Sequence, residues 1–138
     1  MTQDDSRTGS LNGLRVMVID DSKTIRRTAE TLLAREGAEV ITAVDGFEAL
    51  AKIAELEPQI IFVDIMMPRL DGYQTCTLIK NNQRFRNTPV IMLSSKDGLF
   101  DKARGRMVGS EDYLTKPFTK EQLLRAVEQH RRVAEVKP

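Results

Sequence analysis

Arg15-Val16-Met17-Val18-Ile19-Asp20-Asp21 is an apolar run that ends in two acids. Its length suits a strand, and unbroken apolarity is what burial on both faces of a sheet requires. Outward from it the pattern recurs. Ile60-Ile61-Phe62-Val63 ends in Asp64, Val90-Ile91-Met92-Leu93 ends in Ser94-Ser95, and the shorter Tyr113-Leu114-Thr115 ends in Lys116-Pro117. Strands are expected at 15–20, 38–43, 59–64, 89–94 and 111–115, alternating with helices at 22–36, 46–57, 72–82, 98–107 and 119–132. Five strand–helix units in series predict a doubly wound α/β fold, a parallel sheet with helices on both faces. Ligands of such sheets sit beyond the carboxyl ends of the strands. Asp20, Asp21 and Asp64 all fall there.

The helical stretches carry their own signals. Ile25, Ala29, Leu32 and Leu33 share one stripe of the first, and Gly37 stops it. Phe47, Leu50, Ala51 and Ala54 are the expected inward stripe of the second, which Pro58 closes. Thr119-x-x-Gln122 opens the last helix as a capping box. Residues 1–13 are polar and rich in Ser, Thr, Gly and Asp, and read as a flexible N-terminal tail. The domain then runs over 14–132, with a second tail at 133–138.

Bulk properties narrow the function. A chain of 138 residues suits one domain with an ordinary core. With 41% apolar and 30% charged residues it reads as soluble and globular, and a net charge of +1 gives no field for nucleic acid or a membrane surface. No apolar run reaches the length of a membrane span, and 1–13 lacks the apolar segment of a secretion signal. Cys76 has no second cysteine to pair with, which fits a reducing cytoplasm, and in a helical stretch it reads as a small apolar residue. His130, expected in the last turn of the last helix, reads as a charge near a helix C-terminus rather than a phosphotransfer group.

VIDDS (18–22), FVDIMMPRLDG (62–72), IMLSS (91–95) and YLTKPF (113–118) together resemble the receiver domain of two-component response regulators. The resemblance covers about residues 14–132. It rests on the ordered set of acids, hydroxyl and Lys-Pro rather than on any one motif. It implies a flavodoxin- or CheY-like sheet of order 2-1-3-4-5 with five helices. Within the family the opening VMVIDDSKTIRRTAETLL (16–33) is most similar to single-domain, CheY-like regulators of type IV pilus twitching motility.

That resemblance gives each residue a role. Asp64 would be the phosphoacceptor, since a carboxylate oxygen can attack phosphorus to form an acyl phosphate. Asp20, Asp21 and Asp64 would hold Mg2+ (or Mn2+), with the Met66 backbone carbonyl as a further ligand. Ser94 would donate its hydroxyl to a phosphoryl oxygen, and Lys116 would pair with Asp64 or its phosphate. A cis Lys116–Pro117 peptide is implied, and Tyr113 matches the aromatic that turns with Ser94 as the switch. Pro68 and Gly72 shape the loop after Asp64. Each residue alone has a blander reading: an acid or Ser22 capping a helix, a loop serine, a solvated lysine, a half-buried strand tyrosine.

The function implied is a phosphoacceptor signalling protein, not a metabolic enzyme. A CheA-like histidine kinase would supply the phosphoryl group. The fourth helix, fifth strand and fifth helix would present the signal to a separate motility or regulatory protein, since no output domain is in view. Leu99, Phe100, Lys102, Arg104 and Arg106 are candidates for that face, and a cytoplasmic monomer is expected. A phosphate sink, another chemotaxis-type pathway and a phosphorylation-independent pseudo-receiver are the alternatives. A small-molecule phosphatase of the haloacid-dehalogenase kind would need a second Asp two residues after the nucleophile, where Met66 stands. A nucleotide-binding module would need a glycine-rich turn after the first strand, and DDSKT has none. The best-known chemotaxis member carries Asn at the Met66 position and Glu at the Lys96 position, both beside the path of the hydrolytic water. Met is a weak acceptor and Lys adds bulk and charge, so a long-lived acyl phosphate is expected here.

Overall fold

β1 (Arg15–Ile19), β2 (Glu39–Ala43), β3 (Ile60–Asp64), β4 (Val90–Ser94) and β5 (Asp112–Thr115) alternate with α1 (Lys23–Ala34), α2 (Gly46–Leu56), α3 (Gly72–Asn81), α4 (Leu99–Met107) and α5 (Lys120–Val136) in the computed structural model. It describes residues 10–95 and 99–136, and their side chains except those of 99, 100 and 132–136. All pairings are parallel and the order is β2-β1-β3-β4-β5, as the resemblance implies. β3 and β4 are buried along their whole length, which is why they read as unbroken apolar runs.

The strand period sorts the core into two layers. Val16, Val18, Ile60, Phe62, Ile91 and Leu93 face α1 and α5, meeting Ala29, Leu33, Leu123 and Val127. Met17, Ile19, Ile61, Val63, Val90 and Met92 face the other side, meeting Ala49 and Ile53 of α2 and Cys76 and Ile79 of α3. Register then fixes what gathers beyond the strand ends. Ile19 pairs with Val63, so Asp20 and Asp64 come side by side. Ser94 pairs with Thr115, so Lys116 emerges next to Ser94.

Three expectations from the sequence are corrected. Residues 10–13 are not a loose tail: Leu11 is 1% exposed inside the α1/α5 layer, and its N–H donates to Glu36 O at 2.8 Å. Arg131 Nη1 also donates to Ser10 O at 2.7 Å, so this turn ties the end of α1 to α5. A single Leu in a polar stretch carries no period, and only the hydrophobic gap it fills identifies it. Residues 1–9 lie outside the described residues.

The inward stripe of α2 is the second. The helix buries Gly46, Ala49 and Ile53, while Ala51 and Ala54 are exposed and Phe47 is 54% exposed. Gly46 sets this phase, because a Cβ there would lie 2.3 Å from Thr75 Oγ1 and 2.7 Å from Leu70 Cδ2. Phe47 is thereby turned outward, and Arg69 covers its ring at 5.3 Å.

Third, the last helix runs on to Val136, so the expected tail from 133 is helical through 136; residues 137–138 lie outside the described residues. His130 is therefore not in a last turn. It is buried, with Nε2 2.8 Å from Asp112 Oδ2, and joins α5 to β5. The αL stop of α1 at Gly37 (φ +94°) and the Thr119–Gln122 capping box both form as expected.

Candidate functional site

The carboxyl edge of the sheet assembles a compact charged cluster. Asp20 follows β1 and is fully buried; its N–H donates to Ala43 O, extending the β1/β2 ladder by one step. One carboxylate oxygen, Oδ1, accepts the Ser22 N–H at 2.9 Å, and the other, Oδ2, accepts from Lys116 Nζ at 3.0 Å. Asp64 is the last residue of β3 and 3% exposed. Its Oδ1 accepts from Lys116 Nζ at 3.1 Å and from the Met66 N–H at 3.3 Å. Asp21 is exposed, yet carboxylate oxygens of Asp20, Asp21 and Asp64 all lie within 4.8 Å of one another.

Local sequence holds each part in place. Ser22, not Asp21, caps α1: its Oγ accepts the Ile25 N–H at 3.2 Å, which leaves both acids for the cluster. Arg26, one turn into α1, donates to Asp20 O at 2.7 Å. This anchor has no signature in the sequence beyond a basic residue one turn past the acids. The loop after Asp64 returns on Gly72, whose N–H donates to Ile65 O at 2.9 Å. A Cβ at Gly72 would stand 2.4 Å from Asp64 O, so a side chain there would displace the acid itself. Lys116 enters from β5, with its N–H bonded to Ser94 O at 2.7 Å and a cis peptide to Pro117.

The electrostatics are those of a site short of positive charge. Burial pushes the Asp64 carboxyl up to about 6, and the charge of Asp20 adds to this against the pull of Lys116 and the Met66 amide. Burial would lower the Lys116 ammonium, but its hydrogen bonds and charge pairing with Asp20 and Asp64 outweigh that and hold it above its ordinary value. One ammonium faces three carboxylates. A hard divalent cation with oxygen ligands fits this donor set, and Mg2+ prefers such a set while keeping several waters.

Around this centre lie the other expected residues. Ser94 is buried at the end of β4. Met66 is 68% exposed, so its side chain reaches into solvent while its amide serves Asp64. Tyr113 is half-buried on β5, its ring packed against the α2/α3 layer and its hydroxyl buried. Lys96, and the side chains of Leu99 and Phe100, lie outside what the structure describes. Cys76 is fully buried, and burial pushes its thiol up to about 12, as suits a packing residue.

Comparison with known proteins places this geometry. Residues 16–128 match the model of the response regulator receiver domain. The chain is 76% identical over 119 residues to Protein PilG of Pseudomonas aeruginosa, covering 86% of this chain and 88% of that one. It is 40% identical over 105 residues to the alkaline phosphatase synthesis transcriptional regulatory protein PhoP of Bacillus subtilis, covering 76% of this chain but 43% of that protein. Among solved structures, chemotaxis protein CheY4 of Vibrio cholerae superposes with a TM-score of 0.82 at 33% identity, over 85% of this chain and 98% of that one. Among the described residues no helix is long and apolar enough to cross a membrane.

Proposed function

The chain belongs to the response regulator receiver domain family, and from that premise we propose that it is a phosphoacceptor switch modified on Asp64 by a histidine kinase. The observation that carries this reading is Lys116 Nζ standing between Asp20 and Asp64, at 3.0 and 3.1 Å, at the carboxyl edge of the sheet. Asp64 is the nucleophile. Its carboxyl, pushed up to about 6, is still more than nine-tenths ionised at a pH of ~7.5. An Asp64 carboxylate oxygen attacks the phosphorus of a phosphohistidine; the P–O bond forms as the P–N bond breaks, and the imidazole leaves with the electron pair and takes a proton. Lys116, already at the reacting carboxylate, pairs with phosphoryl oxygens as they gain charge. Ser94 donates its hydroxyl to a phosphoryl oxygen.

Asp20, Asp21 and Asp64, with the Met66 carbonyl, would hold Mg2+ or Mn2+. The ion supplies charge neutralisation for the transferring group. Phosphorylation then shifts a population: Ser94 and Tyr113 adjust, and the α4–β5–α5 face offers an altered surface to a separate protein. A CheA-like donor, a cytoplasmic setting and control of type IV pilus twitching motility complete the proposal. They are supported by the likeness of residues 16–33 to such regulators and by the 76% identity to PilG.

Mass spectrometry after incubation with acetyl phosphate and Mg2+ tests the reading. A phosphate adduct is expected on wild type and absent from Asp64→Asn. A wild type that takes no adduct from acetyl phosphate or from a cognate kinase overturns it.

A further inference from the structure

The loop that carries the chain from Asp64 to α3 is bent against its preference at one residue. Arg69 holds φ at +69°, in the left-handed region that side chains rarely enter, and the Leu70 N–H reaches back past it to Pro68 O at 2.7 Å. Together these make the rarer and strained of the two γ-turn forms. Strain of this kind persists only where the surrounding structure holds it, and it gathers at functional sites.

What holds it lies on another element. The Arg69 guanidinium crosses to the corner between β2 and α2, where Nη2 donates to Asp45 Oδ2 at 2.9 Å and Cζ lies 5.3 Å from the centre of the Phe47 ring. The acid is set for this contact, because Asp45 Oδ1 already caps α2 by accepting the Glu48 N–H at 2.8 Å. Leu70 packs on the same corner, where a Cβ at Gly46 would stand 2.7 Å from its Cδ2. An exposed ion pair contributes little by itself, and the Arg69 side chain is 68% exposed. A prefixed acid and an aromatic ring under the guanidinium add to it, and the sum is of the same order as the strain it opposes.

Both ends of this bridge belong to the reactive centre. On the loop side the Met66 N–H donates to Asp64 Oδ1 at 3.3 Å, and the Gly72 N–H returns to Ile65 O at 2.9 Å. On the corner side β2 ends at Ala43, whose carbonyl accepts the Asp20 N–H at 3.1 Å. Arg69 thus ties the loop that follows Asp64 to a frame fixed on Asp20.

We propose that Arg69 is a positioning residue of the cation site: its bridge to Asp45 and Phe47 holds the strained turn, and the turn keeps the Met66 carbonyl among the ligands of the ion. The inference rests on the Mg2+ reading above and adds the restraint that shapes the site from outside. In a relaxed loop that carbonyl has to be brought back as the ion binds, so more Mg2+ is needed.

Substitution at Arg69 separates the bridge from the strain. Alanine loses the bridge and keeps the strain, whereas glycine loses both, because it enters positive φ freely. Full-length, isotope-labelled protein freed of metal by chelation is titrated with Mg2+ and followed by NMR at its backbone amides. Arg69→Ala should need about fivefold more Mg2+ for half-saturation than wild type, the effect of one strained residue let go. Arg69→Gly should return to within about twofold of wild type. Asp45→Asn keeps the cap of α2 and should shift half-saturation the same way as Arg69→Ala, but should add much less when Arg69 is already alanine. The same order of variants is expected in the Mg2+ needed to bind beryllofluoride, an acyl-phosphate mimic. A bridge that serves folding alone would lower the urea midpoint of Arg69→Ala and leave half-saturation unchanged, which overturns the proposal. So does an Arg69→Gly as weak as Arg69→Ala, or tighter Mg2+ binding in both, the mark of a guanidinium that merely repels the ion. Wild-type protein that takes up no Mg2+ defeats the cation reading itself, and the proposal with it.

Discussion

Asp64→Asn should stabilise the metal-free protein, although it removes the reactive group. Folded, the Asp64 carboxyl titrates at about 6, raised first by burial and then by Asp20. In the unfolded chain an aspartate titrates near ~3.9, and each tenfold difference in proton affinity is ~1.4 kcal/mol. Keeping Asp64 ionised in the fold therefore costs about 3 kcal/mol at a pH of ~8. The sign follows from proton linkage. The folded state holds this proton more tightly than the unfolded state, so stability rises as the pH falls. The penalty is complete above a pH of ~7, roughly halved near ~5 and gone below ~4. Asn is close in shape and carries no charge, and Lys116 keeps its contact with Asp20. The variant should exceed wild type by about 2–3 kcal/mol at a pH of ~8, some 10 °C in Tm for a domain of this size. The two should converge as the pH approaches ~4. Mg2+ should close the gap from the other side, because ligand binding stabilises only a protein that still holds the site. Urea and thermal unfolding followed by circular dichroism, in chelator and then in Mg2+, give every quantity. A variant no more stable than wild type at a pH of ~8, or a difference that does not shrink on acidification, refutes the reasoning.

Lys116→Met leaves Asp20 and Asp64 buried without their ammonium, so the metal-free protein should lose about 3 kcal/mol at neutral pH and recover part of it in Mg2+; urea unfolding with and without the ion checks this. Gly72→Ala forces a methyl toward Asp64 O, backbone that cannot step aside; a loss of at least ~2 kcal/mol with slower adduct formation is expected, and an unperturbed rate counts against the close approach. Met66→Asn should speed loss of phosphate from Asp64 several-fold, as measured by release of labelled phosphate; a variant that decays no faster than wild type sinks the expected long lifetime. Leu11→Ala should cost about 2–4 kcal/mol in denaturant unfolding, where a residue of a loose tail would cost nothing.

The sheet was legible because it asks little of long-range detail. Apolar runs such as Ile60–Val63 are buried on both faces and can be read without a partner. Order and register then bring Asp20 beside Asp64 and Lys116 beside Ser94, which is why a linear pattern of strand ends could foretell a cluster. Helix phase was less legible. In α2 the largest apolar residue, Phe47, points outward because Gly46 must face Thr75 and Leu70, and neither neighbour can be inferred from the helix itself. Leu11 is not legible for a related reason: what buries it is the far end of α1 and the flank of α5.

His130 and Tyr73 show what the sequence withholds, and together they say which side of β5 can move. Each reads alone as ordinary: a charge on a helix, an aromatic on an apolar face. In the fold Asp112 uses Oδ1 to accept the Tyr113 N–H at 2.7 Å and Oδ2 to meet His130 at 2.8 Å, so the strand that carries Tyr113 is bound to α5 through a buried group one residue away. On the opposite side α4 meets β5 itself, with Lys102 Nζ 5.5 Å from the centre of the Tyr113 ring, while the Tyr73 hydroxyl ties α4 to α3 through Asp101 at 3.2 Å. A strand joined to α5 by a 2.8 Å contact at its own carboxylate, and met by α4 through an ammonium 5.5 Å from an aromatic ring, is unequally restrained. The weaker restraint yields first under a common perturbation. Movement on phosphorylation is therefore expected in α4 and the Tyr113 side chain, with β5 and α5 staying together. Hydrogen exchange should accordingly rise in α4 before α5 when beryllofluoride and Mg2+ are added, and the reverse order would show that the Asp112–His130 contact is the looser of the two.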